Sequence, residues 1–347
     1  MQYGSNYDVS VLNFFGEFNS QKFNKTNKFN FINYYNLNLL KYLPSEGFIK
    51  SRFSFIVMFI LGFFPLIKIL KKKKPDYLII HLITSLPLII LILFNFKTKF
   101  ILRISGYPKL HFFRKLLWRI ALKNIHIITC PTLNTLNYIK RLNIVENSKI
   151  KLLYDPIVSI REINQKKKEK IEFSDYFLAV GRLTKQKNFE FLLEAFKDLI
   201  KNDSQLKLLI AGDGEEKIRL NNFIKKNNLS NNIKLLGYID NIYPYFKNSK
   251  GFILTSLWED PGFVLIEAAS IRVPILSSNV WPGPIELVKN NFNGLVYESN
   301  IKEDFHKKFK QLEVSENKSE WILNSLILAK KFTIFDHYKT FNKLLEI

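Results

Sequence analysis

Cysteine is nearly absent from this chain. The single Cys130 excludes an internal disulfide and a cysteine-built metal cluster, and it fits a reducing compartment. Histidine is scarce as well. The five present form no HxxxH or HExxH pair, which argues against a zinc site. Acidic residues are outnumbered, 30 against 52 basic, for a net charge of +22. Such a surplus normally points to nucleic acid or to an anionic membrane. Here nearly all the basic residues are lysine, and phenylalanine, isoleucine and asparagine are plentiful beside them while glycine and alanine are few. That pattern reads as drift toward a few residue types. No helix-turn-helix signature, zinc finger or aromatic-basic RNA motif accompanies the charge, so nucleic acid is not an expected partner. Met1 to Asn13 lacks the basic and apolar regions of a signal peptide.

What is present is apolar material for two cores: 347 residues, 47% of them hydrophobic. Asp8–Phe15 reads as a strand bounded by Gly4 to Asn6 and Gly16, and Gln21–Tyr35 as a weakly patterned stretch with a second short strand at Phe29 to Ile32. A helix is expected within Leu37–Leu43. From Asp76 to Tyr154 short apolar strands alternate with helical patterns, which implies a doubly wound parallel sheet. Asp155-Pro156 and the charged Gln165–Lys170 read as a linker, after which the alternation restarts at Tyr176. The chain is thus divided into a first domain over 1–160, a second over 161–325, and a last helix over 326–347 expected to cross back to the first domain.

Phe53–Ile67 contains no charged residue and is followed by Lys68 and Lys71–Lys74. A membrane span needs about 20 apolar residues. This run is shorter and carries Ser54, Gly62 and Pro65. It reads first as a buried helix, with an interfacial helix or a span as alternatives. The lysines are either a solvated helix end or a contact for anionic lipid.

The most suggestive stretch is Trp258–Ala269. Gly251–Thr255 before it is a short buried strand. Asp260 is expected to cap the following helix and Pro261 to open it. Glu259 then lies at the strand tip and Glu267 about two turns into the helix, its side chain leaning back toward the same mouth. Between them the amides of Gly262, Phe263 and Val264 face outward at a positive helix end. Two carboxylates and a fan of N–H donors suit a polyhydroxylated ligand that carries phosphate. The spacing alone equally describes a capped helix with two surface glutamates. Other candidates also follow strands: Gly181-Arg182 with Lys187, Gly212 and Gly214, and Gly237. An arginine fork with a lysine on one loop is what a diphosphate leaving group needs.

In this order the motifs resemble those of the family-four retaining glycosyltransferases, the group 1 glycosyl transferases of GT-B fold. The matching runs are Val180-Gly181-Arg182-Leu183 with Lys187-Asn188, Ile210–Gly214, Leu236-Gly237-Tyr238, Glu259 through Glu267, Gly283-Pro284-Ile285-Glu286 and Asn293-Gly294. The resemblance is specific over 176–300 and looser over 76–157, where His81 and Tyr154–Ile157 fall in place. It implies two Rossmann-like domains facing a cleft, with the second holding the nucleotide sugar. Arg182 and Lys187 would neutralise the diphosphate, Glu267 would hold the ribose, and Glu259 with the amides of Gly262 to Val264 the sugar. Gly237, Tyr238 and Ile239 would line the base, and Gly181, Gly212 and Gly214 the donor path. No metal or other cofactor is implied, and transfer would retain anomeric configuration.

Two departures stand out. The family's first strand and Gly-rich turn are not evident near Met1, so the first domain is expected to lack that strand. Where the family often has His-Gly, this chain has Ser105-Gly106, which leaves His81, Arg103, Ser105 and Gly106 as acceptor-side candidates. His81 as a satisfied core histidine is an equal reading. The function expected is transfer of a hexose or N-acetylhexosamine from a UDP-linked donor to a glycan or lipid-linked acceptor in cell-surface polysaccharide synthesis, at the cytoplasmic face of the membrane. The alternative is a truncated or decayed GT-B chain that binds nucleotide sugar without transfer.

Overall fold

The computed structural model describes residues 7–15, 30–35, 39–43, 48–81, 85–108 and 110–346. The expectations for Gly4 to Asn6, Gly16 and the segment up to Phe29 lie outside these residues. The chain forms two compact units. One comprises residues up to Cys130 together with Tyr138–Lys151, and the other Pro131–Asn137 together with Leu152 onward.

The first unit opens with β1 (Ser10–Asn13) and β2 (Asn30–Asn33), paired in parallel with Ser10 opposite Asn30. Asn13 Nδ2 donates to Asn33 Oδ1 at 2.8 Å across the pair. A 3-10 turn covers Leu39–Tyr42, within the expected helix. Helix α1 (Phe48–Lys73) runs 26 residues, well beyond the apolar run that marked it. Lysine is a good helix former and favoured at a helix C-terminus, so Lys71 to Lys73 continue the helix instead of ending it. Then come β3 (Tyr77–Ile80), α2 (Ser85–Leu93), β4 (Lys99–Arg103), α3 (Phe112–Ala121), β5 (Ile127–Cys130), α4 (Leu133–Arg141) and β6 (Ile150–Leu152). The four strands form one sheet in the order β3-β4-β5-β6, each beside its predecessor. The first turn of α4 is counted with the second unit.

The second unit runs α5 (Ile160–Lys166), β7 (Phe177–Val180), α6 (Phe189–Asn202), β8 (Leu208–Ala211), α7 (Lys217–Lys226), β9 (Ile233–Gly237), α8 (Tyr243–Asn248), β10 (Gly251–Leu254), α9 (Phe263–Ser270), β11 (Ile275–Ser278), α10 (Pro284–Leu287), β12 (Leu295–Tyr297), α11 (Lys302–Val314), α12 (Lys318–Ala329) and α13 (Ile334–Leu345). Its sheet has the order β12-β11-β10-β7-β8-β9, and every recorded pairing between these strands is parallel. The inner strands β7, β8 and β10 are apolar throughout because both faces are covered. Phe177 and Ala179 join a core with Phe196, Phe305 and Phe309, whereas Tyr176 and Leu178 join another with Phe246, Phe252 and Ile266.

One expectation needs correction. Gln165–Lys170 is not all linker, since helix α5 reaches Lys166, capped by Ser159, whose hydroxyl accepts from the Glu162 amide. The last segment, α13 included, is counted with the second unit. There the amides of Ile157 and Val158 both donate to the Phe332 carbonyl at 2.9 Å, and the His337 ring meets the Tyr154 carbonyl.

Candidate active site

Strand order in the second sheet reverses between β7 and β10. At such a point successive connections leave for opposite faces, and a crevice opens at the C-terminal strand ends. The loop after β7 carries Gly181, Arg182 and Lys187, and the loop after β10 carries Ser256, Glu259 and Gly262. The two loops are joined by backbone and side chain. Leu257 N donates to Gln186 O at 2.8 Å, Gln186 Nε2 to Trp258 O at 2.8 Å, and Thr255 Oγ1 to Lys187 O at 2.8 Å. At their centre Lys187 Nζ is ion-paired with Glu259 Oε1, with side chains only 13% and 10% exposed. Ser256 Oγ donates to the same carboxylate oxygen at 2.7 Å. The family resemblance assigned these two charges to different parts of a donor, and here they neutralise each other. Arg182 is exposed and makes no ion pair among the described residues.

The glycine turn after β8 rests on the loop after β7. Leu183 N donates to Asp213 O at 2.9 Å, and a Cβ on Gly212 would stand 1.8 Å from the Gly181 carbonyl oxygen. Gly212 is therefore required by loop-on-loop packing, whatever it offers a ligand. Gly212 N also donates to Gly237 O at 2.8 Å, which sets the end of β9 beside the same turn. Gly214 follows in that turn. Tyr238 is exposed and Ile239 half-buried just beyond.

Helix α9 starts differently from expectation. Gly262, at φ 92, occupies the cap position, and the helix begins at Phe263. Asp260 and Pro261 lie outside it, joined by a cis peptide. Asp260 does not cap because its carboxylate is engaged elsewhere: Thr135 Oγ1 donates to Oδ2 at 2.9 Å, and Thr132 Oγ1 approaches Oδ1 at 3.5 Å. Burial raises Asp260 to about 6, with Glu286 adding repulsion and the threonine bonds opposing. Glu286 in turn accepts from the amides of Leu133 and Asn134, both at 2.9 Å. This Asp260–Thr135–Glu286 cluster was not legible as such in the sequence, where only the Gly283–Glu286 run hinted at a role.

The amides of Gly262, Phe263 and Val264 find no acceptor among the described residues. Val264 is buried, so only its backbone can meet a ligand, while Phe263 is exposed. The Glu267 carboxyl, carried by α9, has no hydrogen bond or ion pair among the described residues. Burial lifts its carboxyl to about 7, and burial, with the charges of Glu267 and Glu162 added, pushes the Tyr243 phenol to about 12. A desolvated carboxylate with no internal partner is ready to accept from hydroxyl groups.

In the first unit, His81 follows β3 and Arg103 ends β4, adjacent strands in register. Arg103 Nη1 lies 2.7 Å from His81 Nδ1. Guanidinium can only donate, so Nδ1 accepts and the ring proton sits on Nε2. His81 is exposed, which removes the reading of a core histidine. Ser105 is exposed and Gly106 has open space around its Cα, both in the loop after β4. Among the described residues, no three His, Cys, Asp or Glu side chains converge as metal ligands would.

Two parallel α/β units of Rossmann type, the second with its loops gathered at a switch point, define the GT-B class. Residues 160–324 match the family model described as glycosyl transferases group 1. This stretch of the chain therefore carries a domain of that family. It is 31% identical over 252 residues to an uncharacterized glycosyltransferase of Methanocaldococcus jannaschii, covering 66% of this chain and 62% of that one. Of three further relatives' lengths it spans 38%, 41% and 52%. It is 29% identical, over 78% of this chain and 75% of the relative, to a Campylobacter jejuni alpha-1,4-N-acetyl-D-galactosaminyltransferase named for an undecaprenol-diphosphate-linked glycan. Among solved structures, Anabaena HepE in complex with UDP superposes with a TM-score of 0.67 at 15% identity, over 91% of this chain and 86% of that one.

Proposed function

We propose that this chain is a retaining glycosyltransferase that moves a hexose or N-acetylhexosamine from a UDP-linked donor to a lipid-linked or glycan acceptor in cell-surface polysaccharide synthesis, with no metal. The observation that carries the reading is Glu267. It is a desolvated carboxylate, without a partner among the described residues, behind a fan of helix amides likewise unengaged among them, in the same unit as Arg182 and the Lys187–Glu259 pair. Arg182 and Lys187 offset the charge of the diphosphate. Glu267 accepts from the ribose hydroxyls. Glu259 and the amides of Gly262, Phe263 and Val264 hold the sugar, and Gly237 to Ile239 lie along the base. The bond from the anomeric carbon to the diphosphate oxygen breaks, the acceptor oxygen bonds to that carbon on the same face, and its proton passes to the leaving phosphate. His81, held in one tautomer by Arg103, is an acceptor-side group beside Ser105 and Gly106. The UDP of the HepE complex and the lipid-linked substrate in the Campylobacter relative's name support the choice of donor and acceptor. A place at the inner face of the membrane follows from such an acceptor.

The test is a screen of UDP-, GDP- and ADP-sugars by hydrolysis and thermal shift, with the anomeric configuration of the product read by NMR. Arg182→Ala and Glu267→Ala should abolish turnover of the preferred donor. Full activity in either variant overturns the site. Donor binding without transfer to any acceptor supports a chain that binds nucleotide sugar only.

A further inference from the structure

The surplus charge of this protein is not evenly spread. Residues 48–145 contain one acidic residue, Asp76, against 17 lysines and arginines, while the remaining chain has 29 acidic and 35 basic. Drift toward lysine would not empty one segment of carboxylates. Among the described residues of the first unit, the same segment bears the most exposed large apolar side chain, Phe113.

Helix α1 presents one stripe to solvent: Phe53, Ile56, Ile60 and Phe64, followed on the same face by Lys68 and Lys71. Phe64 is 75% exposed. The opposite face is anchored. Met58, Leu66 and Leu70 are buried, and at Gly62 the helix is so close to its neighbours that a Cβ would lie 2.7 Å from Leu86 Cδ2 and 3.3 Å from Phe15 Cζ. Helix α3 repeats the pattern. Phe112 and Phe113 are 76% and 82% exposed, Leu116 and Ile120 continue the stripe, and Arg119 and Lys123 lie at its end. Its inner face buries Trp118 and Ala121. Helix α2 packs against both α1 and α3, so the three form a row.

We infer that the outward stripes of α1 and α3 form a docking face for an anionic lipid bilayer, entered to the depth of the side chains and not crossed. The apolar part of the α1 stripe is about 16 Å long, enough to lie in the interface. By length and composition α1 could also cross a membrane, with 39% of its most apolar window buried. That burial is against the unit's own side chains, and leaving it would strip the face that holds Leu86 and Phe15. Basic residues beside exposed phenylalanines and almost no carboxylates match a negatively charged interface, where apolar insertion and charge act together. This assigns the membrane side of the reading above to particular residues, and it does not require transfer to occur.

The experiment is flotation of the full chain with vesicles of phosphatidylglycerol and phosphatidylcholine, or of phosphatidylcholine alone. The variants are Phe112→Ser/Phe113→Ser and Ile60→Ser/Phe64→Ser, with Val314→Ser as a control on an exposed apolar residue of the second unit. All these positions are exposed, and melting curves verify folding. The wild type and the control should float with the anionic vesicles, weakly with neutral ones and less in high salt. Each double variant should lose partitioning by about tenfold, with UDP-sugar hydrolysis in lipid-free buffer unchanged. No flotation, or flotation equal in all variants, overturns the assignment. So does retention through an alkaline carbonate wash, which would mean a span. Lipid-free self-association abolished by the same variants would assign the face to a second copy and also overturn it. Flotation with no donor turnover in any chain would sink the catalytic reading and leave this one standing.

Discussion

Lys187 and Glu259, 72 residues apart, close on each other as a largely buried ion pair across the loops that follow β7 and β10. The candidate site is therefore held shut on one of its own cations. A donor diphosphate that takes Lys187 must share it with Glu259 or displace that carboxylate, and Ser256 is placed to keep Glu259 hydrogen-bonded meanwhile.

This separates two arginine-and-lysine tests that sequence alone would treat alike. Arg182→Ala should reduce donor turnover by about 100-fold or more while moving stability by less than about 0.5 kcal/mol, because the side chain is exposed and makes no ion pair among the described residues. Lys187→Ala should cost activity and also about 3–5 kcal/mol of stability, because it leaves Glu259 buried without its cation. Urea melts beside hydrolysis rates check both. Equal stability of the two variants would mean the pair is not holding the loops.

Glu267 predicts a pH dependence. Its carboxyl is raised from 4.5 to about 7 in the folded protein. The folded state therefore holds the proton more tightly than the unfolded chain. The stability from this group is fully present below about pH 4.5 and falls as pH rises toward 7, by up to about 3 kcal/mol. Glu267→Gln should flatten that part of the stability profile. UDP affinity should rise with pH through about 7 in the wild type, as the carboxylate becomes a full acceptor, and stay flat in the variant. Calorimetric titration at several pH values reads this directly.

Gly212→Ala and Gly237→Ala should differ in degree. The first forces a methyl to within 1.8 Å of the Gly181 carbonyl oxygen and should unfold the loop, with a loss well beyond the local strain. The second meets open space and should cost about 1–2 kcal/mol for its left-handed backbone alone. Denaturation midpoints distinguish them.

Thr135→Val should destabilise by about 1–3 kcal/mol, since Asp260 loses its best donor. It should also move the Asp260 carboxyl further above 6, because that bond is one of the interactions holding it down. A carboxyl-carbon NMR titration would show a shift the other way if Asp260 is solvated instead.

Much of the second unit could be read from sequence because its strands are short apolar runs closed by glycine, and those signals are local. Glu259 and Glu267 could be placed for the same reason. The helix start between them could not. Asp260-Pro261 has the chemistry of a cap and a first turn, yet the partner that claims Asp260 lies 125 residues away. The Lys187–Glu259 pairing is non-local in the same sense. Helix α5 was different: Ser159 and Glu162 have the spacing of a capping box, a signal that the charged composition of Gln165–Lys170 masked. In the first unit the lysine surplus hid an uneven distribution that only exposure on α1 and α3 made meaningful.

The bonds from Ile157 and Val158 to Phe332 join the beginning of the second unit to residues made some 175 positions later. Synthesis runs in one direction, so this seam stays open on the ribosome until Phe332 has emerged. Until then β7 to β12 can assemble, but the segment that leads into them lacks the Phe332 carbonyl that accepts from the amides of Ile157 and Val158. Completion of the unit is thus timed by translation of its far end, and a chain stopped before Phe332 would be released with that edge still unpaired.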